Sequence, residues 1–211
     1  MLKNKKILIL APHTDDGELG CGGIISKYIS KGAQIYYAAF STADESVQSP
    51  FPSNQLEIEV RDATCILGIP SDHLFVYKYA VRKLNYSRQE ILEQLIALRD
   101  QINPDVVLLP SQKDVHQDHQ TITFEGIRAF KNCTILGYEL AWNNLSFATD
   151  CFVVLKEADV QLKIKALAAY TTQIGKSYMD PDFIRSLARV RGTQINVEYA
   201  EAFEVIRWIE R

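Results

Sequence analysis

The sequence predicts a three-layer α/β/α fold with a mostly parallel central sheet and a C-terminal cap. Three observations carry that prediction: short continuous apolar runs, apolar residues at helical spacing between them, and alternation of the two along most of the chain. At 211 residues the chain is expected to form one domain over its whole length, 1–211, large enough to bury a core without disulfides.

Residues 7–11 are an apolar run of the kind found in strands buried on both faces. Ile24, Ile25, Tyr28 and Ile29 follow at helical spacing, and Gly32 supplies a stop. Residues 35–40 read as a second strand. Leu56, Val60, Ala63 and Leu67 mark one face of a helix that ends at Gly68 and Pro70. Residues 74–77 form a third strand, and Ile91, Leu95, Leu98 and Ile102 mark a helix closed by Asn103 and Pro104. Residues 106–109 are another buried strand, followed by a helix over about 118–130 and strands at 134–136 and 152–155. Val160, Ile164 and Leu167 mark a late helix. The cap carries a helix near 181–191 and a closing strand near 199–207. Such alternation gives a Rossmann-like sheet, with right-handed crossovers and ligands at the carboxyl edge of the strands.

Hydrophobic residues make up 47% of the chain and charged residues 23%, with a net charge of −3. These values exclude a disordered or collagen-like chain and leave no basic footprint for nucleic acid. No apolar run reaches the length of a membrane span. The lysines among residues 1–6 mimic the start of a signal peptide, but the apolar stretch after them is too short, so the expected location is cytoplasmic. The four cysteines, Cys21, Cys65, Cys133 and Cys151, form no CxxC pair and read as reduced, packed thiols.

Two loops carry chemistry. The first, residues 11–23 (APHTDDGELGCGG), leaves the first buried strand with a histidine and two adjacent carboxylates in four residues. That crowding is costly unless a cation shares it. His13 and Asp16 can reach one ion from a single turn, and their donor atoms suit Zn²⁺. Alone, the loop is equally well an Asp-rich turn capping a helix. A dinucleotide site is discounted, because Gly20, Gly22 and Gly23 do not follow GxGxxG and Asp15, Asp16 and Glu18 would repel a pyrophosphate. The second loop, residues 111–119 (SQKDVHQDH), leaves the strand at 106–109 toward the same sheet edge with His116, Asp118 and His119. That convergence favours a metal site. Spacing leaves open whether His116, His119 or both bind the ion; a catalytic site needs one of them free.

HTDDGELGCGG and DVHQDH resemble the two signatures of the LmbE/PIG-L family of zinc-dependent N-deacetylases. Ala63 to Gly68, Pro104 to Val107, Tyr170 to Gln173, Arg191-Gly192 and Tyr199 to Phe203 resemble further family features, so the likeness runs over nearly the whole chain. The resemblance implies a hydrolase that removes acetyl from an N-acetylated amino sugar or its conjugate, with one Zn²⁺ per chain, although a His₂Asp site accepts other divalent metals. By position, His13, Asp16 and His119 would hold zinc. Asp15 would be the general base toward zinc-bound water. His116, oriented by Asp118 and protonated, would stabilise the oxyanion or protonate the leaving amine. Arg191, in the family's Arg-Gly pattern, would touch substrate or form an ion pair within the cap. Thr14 replaces the family's usual proline, and Glu18 stands one place beyond the usual glutamate, so it does not simply inherit that residue's role. The arginine with which some members hold substrate has no counterpart in register; Arg61 is near it. The small-molecule partner is thus an amino sugar. Assembly into a homo-oligomer is common among proteins that resemble this one. Two rivals share the features: an amidase acting on a non-sugar amide, and a sugar-binding module without turnover.

Outside these loops the readings are plain. Asp44 and Glu45 follow the second strand at the same edge, where they either touch a sugar hydroxyl or, the plainer reading, form a solvated loop, and His73 stands at a strand end or on the surface. Tyr138 and Trp142 flank a third edge loop, where an aromatic either stacks on a sugar ring or packs.

Overall fold

A computed structural model describes residues 4–210; Met1, Leu2 and Lys3 of the charged start lie outside the described residues. Seven strands form one sheet: β1 (Lys6–His13), β2 (Gln34–Ser41), β3 (Leu74–Val76), β4 (Val106–Pro110), β5 (Thr134–Tyr138), β6 (Cys151–Leu155) and β7 (Tyr199–Arg207). Their order is β3-β2-β1-β4-β5-β7-β6. The first five run parallel, and β7 lies antiparallel between β5 and β6. The helices are α1 (Asp16–Ile29), α2 (Gln55–Leu67), α3 (Arg88–Ile102), α4 (Gln117–Ala129), α5 (Glu157–Leu167) and α6 (Pro181–Thr193).

Strand alternation divides β1 between two cores. Ile7, Ile9 and Ala11 face a layer that includes α1, α2, α5 and α6. Leu8 and Leu10 face a layer built from α3 and α4. A central strand covered on both faces must be apolar at every position, which is why residues 7–11 form an unbroken run. Strand order reverses about β1 and β4, and the loops after these two strands open at the same carboxyl edge.

The first chemical loop is shorter than the sequence reading. β1 continues to His13 and α1 begins at Asp16, so the glycines 17–23 are helical. Close packing, rather than a turn, explains them. A Cβ at Gly20 would lie 2.3 Å from the Tyr138 ring, and one at Gly22 would lie 2.6 Å from the Lys163 side chain. Lys163 of α5 and Glu201 of β7 form a buried ion pair at 2.8 Å against the middle of this helix. The ammonium donates to the Leu19 carbonyl at 2.6 Å, and the carboxylate accepts from the Gly23 and Ile24 amides at 2.9 and 2.7 Å. The cap elements thereby grip the helix whose first turn carries Asp16.

Candidate metal centre

Three donor atoms meet where α1 and α4 begin. His13 Nδ1 and Asp16 Oδ2 are 3.1 Å apart, His119 Nε2 and Asp16 Oδ2 3.2 Å, and His119 Nε2 and His13 Nδ1 3.2 Å. A tetrahedral ion with bonds of ~2.0–2.2 Å has ligand atoms about 3.3–3.6 Å apart, so this near-equilateral triangle is close to the face such an ion presents. His116 stands beside it, its ring stacked on His119 at 4.5 Å and edge-on to His13 at 5.0 Å. Donor atoms of all three histidines lie within 4.8 Å of one another, a cluster that can hold a metal.

Each ring is fixed by a second contact. Asp118 Oδ2 lies 3.0 Å from His13 Nε2, and Asp114 Oδ2 lies 2.7 Å from His119 Nδ1. Carboxylates at the far nitrogens set ring orientation and raise ligand basicity. Asp114 Oδ1 also accepts from the His116 amide at 2.8 Å. Asp114 was not singled out by the sequence; its signal is its place five residues before His119 in the same loop.

Asp118 differs from the expectation. Its carboxylate serves His13 and accepts from the Arg82 and Leu84 amides of the loop after β3, at 2.5 and 3.1 Å. It meets His116 only through its backbone, whose N–H donates to His116 Nδ1 at 3.2 Å. The reason is local: His116 is the N-cap of α4, so its side chain turns back onto the free amide of the second helical residue. With Nδ1 accepting, a neutral His116 carries its proton on Nε2.

Electrostatics follow from this crowding. Burial pushes the His13 and His119 pKa values down, but the Asp16 carboxylate overrides it for both, helped by Asp118 at His13 and Asp114 at His119. The two rings reach about 9 and about 10. Burial raises Asp16, yet His119 and His13 hold it well below the usual carboxylate range. Burial, then the neighbouring Asp16 charge, lifts Asp15 to about 6. Burial, with His119 and His13 nearby, lowers His116, so the neutral ring is favoured over the protonated one expected.

Residues 8–130 match the family described as PIG-L: GlcNAc-PI de-N-acetylase. The chain belongs to the PIG-L (LmbE-like) deacetylase family. It is 32% identical over 172 residues to an uncharacterised deacetylase of Escherichia coli (strain K12), covering 78% of this chain and 90% of that protein. It is 31% identical over 134 residues to a diacetylchitobiose deacetylase of Thermococcus kodakarensis, covering 59% of this chain and 49% of that protein. Among solved structures, a conserved protein of Thermus thermophilus superposes with a TM-score of 0.81 at 25% identity, covering 100% of this chain and 97% of that one. The mostly parallel three-layer fold is thus shared with that protein over the whole of this chain.

In this PIG-L protein the triangle lies in a cleft of about 320 Å³. Asp15 and His116 line it with His13, Asp16 and His119. Ala43, Leu56 and Val81 add apolar surface, and Trp142, Asn143, Gln173, Lys176 and Tyr178 add aromatic and polar surface. Glu18, displaced by one place from the family glutamate, is fully buried and meets the Tyr37 and Tyr170 hydroxyls. Both hydroxyl oxygens also lie within hydrogen-bond distance of the Thr14 carbonyl, at 2.8 and 2.7 Å, so the Glu18 cluster helps pin the turn bearing Asp15. Tyr138 is buried, its hydroxyl on the Leu10 carbonyl, whereas Trp142 lines the cleft and stacks on Tyr178 at 4.3 Å.

Arg191 does not reach the cleft. Both ends of its guanidinium fork rest on the Glu139 carboxylate, Nε at 2.9 Å, and it lines a separate cavity beneath α6. A guanidinium only 17% exposed needs such a partner to offset lost hydration. Arg61 pairs with Glu57 on the surface of α2.

Proposed function

We propose that this protein is a metal-dependent N-deacetylase that removes acetyl from an N-acetylated amino sugar or its conjugate. The observation that carries the reading is the triangle of His13, Asp16 and His119 with Asp15 and His116 beside it in one cleft. Those three are the proposed ligands of one Zn²⁺, which when bound would polarise the acetamide carbonyl and acidify water. His116 is left out of the proposed ligand set because, with Nδ1 accepting the Asp118 N–H, the neutral ring carries its proton on Nε2.

Asp15, ionised, takes a proton from the attacking water; a pKa lifted by burial brings it nearer working pH than an exposed aspartate, which favours proton transfer. The same carboxyl then returns a proton to the leaving amine. His116 donates from Nε2 to the acetyl oxygen as negative charge gathers there, without first becoming an imidazolium. Asp114 and Asp118 hold the rings of His119 and His13. Four free cysteines accord with action in the cytoplasm, and no helix among the described residues is long and apolar enough to cross a membrane.

The test is metal content together with acetate release from a panel of N-acetylated sugars. Expected are about one equivalent of metal per chain, lost with activity in His119→Ala. Asp15→Asn should keep the metal and lose roughly 10²–10⁴-fold in kcat. An Asp15→Asn variant at full rate would overturn the mechanism. Metal-replete protein releasing no acetate from any sugar would overturn the substrate class in favour of an amidase or a binding module.

A further inference from the structure

Beyond the metal centre, the cleft has one feature that removal of acetyl from a plain amino sugar does not require. Among the described residues, Lys176 is the only lysine or arginine that lines it. It sits on the segment between α5 and α6, which is tied down at both ends. At one end the buried Glu59 of α2 accepts from Thr171 Oγ1 at 2.7 Å, Thr172 N at 3.0 Å and Thr172 Oγ1 at 2.6 Å. At the other, Tyr178 stacks on Trp142. Between them Gly175 takes a positive φ of 93°, and the Lys176 ammonium lies 5.6 Å from the centre of the Tyr178 ring. No ion pair joins Lys176 to a carboxylate among the described residues. The ammonium is therefore held at the cleft by an anchored strap beside Tyr178; it forms no salt bridge, and the carboxylate that feels its charge is Asp15 across the cleft.

Its surroundings give that charge a purpose. Asp15 and Asp16 line the same cleft, and Asp114 and Asp118 lie just behind it. His13 and His119 compensate Asp16, Asp114 and Asp118, so outside the metal centre Lys176 is the fixed cation that would receive an anionic group of a substrate. The cleft also offers Ser46, Asn143 and Gln173, side chains with hydrogen-bond donors that suit an oxygen-rich group. A lysine is a compact point charge, well matched to a phosphoryl group.

We propose that Lys176 is a specificity-determining residue and that the substrate is a phosphorylated N-acetylamino sugar, its phosphate held at the cleft mouth by this ammonium. The inference rests on the deacetylase reading of the same site.

The experiment compares N-acetylglucosamine with its 1-phosphate and 6-phosphate as substrates of the metal-loaded wild type and Lys176→Ala. Calorimetric titration of the two chains with glucosamine and the same glucosamine phosphates runs alongside. In wild type, one phosphate is expected to exceed the neutral sugar at least tenfold in kcat/KM, mainly through KM, and the matching product to bind at least tenfold tighter. In Lys176→Ala both ratios should fall toward one, and Lys176→Arg should restore part of them. Equal treatment of neutral and phosphorylated sugars by wild type, or a preference that survives Lys176→Ala, would overturn the proposal. So would a shift of the pH profile shared by both kinds of substrate, because it would make Lys176 a modulator of Asp15. If no sugar releases acetate, the deacetylase reading fails, and the binding ratios still decide the lysine's role.

Discussion

At the scale of single residues, protons and the proposed metal would compete for the same atoms. Without an ion, His13 and His119 hold their protons to about 9 and about 10, above the ordinary 6.5, because Asp16 and the outer aspartates compensate the charge. A raised histidine pKa contributes stability that is fully present below pH 6.5 and is lost as pH rises through the folded value. Metal binding must displace those protons. Zinc affinity should therefore rise steeply between pH 6.5 and 9, and zinc binding at pH 7.5 should release protons. Calorimetry in buffers of different ionisation enthalpy measures the release; none at pH 7.5 would mean that the metal sits elsewhere. At this scale the gathering of His13, Asp16, His116 and His119 was readable, because each lies close to a helix start at the same sheet edge; spacing did not choose between His116 and His119. The partner of Asp118 was not readable, since His13 is more than a hundred positions away and only the fold sets them 3.0 Å apart.

At the scale of elements, the Lys163–Glu201 pair joins α5 and β7 to the middle of α1. Breaking a buried pair from one side leaves an uncompensated charge and costs about 3–5 kcal/mol. Lys163→Met should therefore destabilise the protein by roughly that amount in urea unfolding. Adding Glu201→Gln should recover part of the loss, since a neutral amide still accepts one helix N–H. A single variant within ~1 kcal/mol of wild type would show the pair to be unimportant. The glycine stretch 17–23 reads as a loop in the sequence because glycine weakens a helix in isolation. Tertiary packing reverses that preference. Gly20→Ala, with its Cβ 2.3 Å from the Tyr138 ring, should lower stability by about 1–3 kcal/mol despite alanine's better helix propensity.

At the scale of the whole molecule, the centre joins two segments distant in sequence, so an ion bound there crosslinks the folded state alone. Saturating metal at a hundred times its dissociation constant stabilises by about 2.7 kcal/mol. For a chain of this size that corresponds to a Tm increase of roughly 5–10 °C. The increase should vanish in His119→Ala and on chelation, as read by differential scanning calorimetry. An equal rise in His119→Ala would place the stabilising ion at another site. The layered fold itself was legible, because a covered parallel sheet requires apolar strands such as residues 7–11 and 106–109. The antiparallel placement of β7 between β5 and β6 was not, because strand direction leaves no mark on composition.

By itself the sequence determined the layered, mostly parallel fold, the edge at which the two loops emerge, and the histidines and aspartates His13, Asp15, Asp16, His116, Asp118 and His119 that gather there. These follow from hydrophobic period and from short-range spacing, which are local. Only the tertiary structure decided which nitrogen of each histidine is engaged, that Asp118 and Asp114 serve different rings, that Arg191 is held by Glu139, and that Lys176 stands over the cleft. Each of those depends on side chains brought together from distant parts of the chain, where burial forces every charge to find a partner and the partner is chosen by proximity in space.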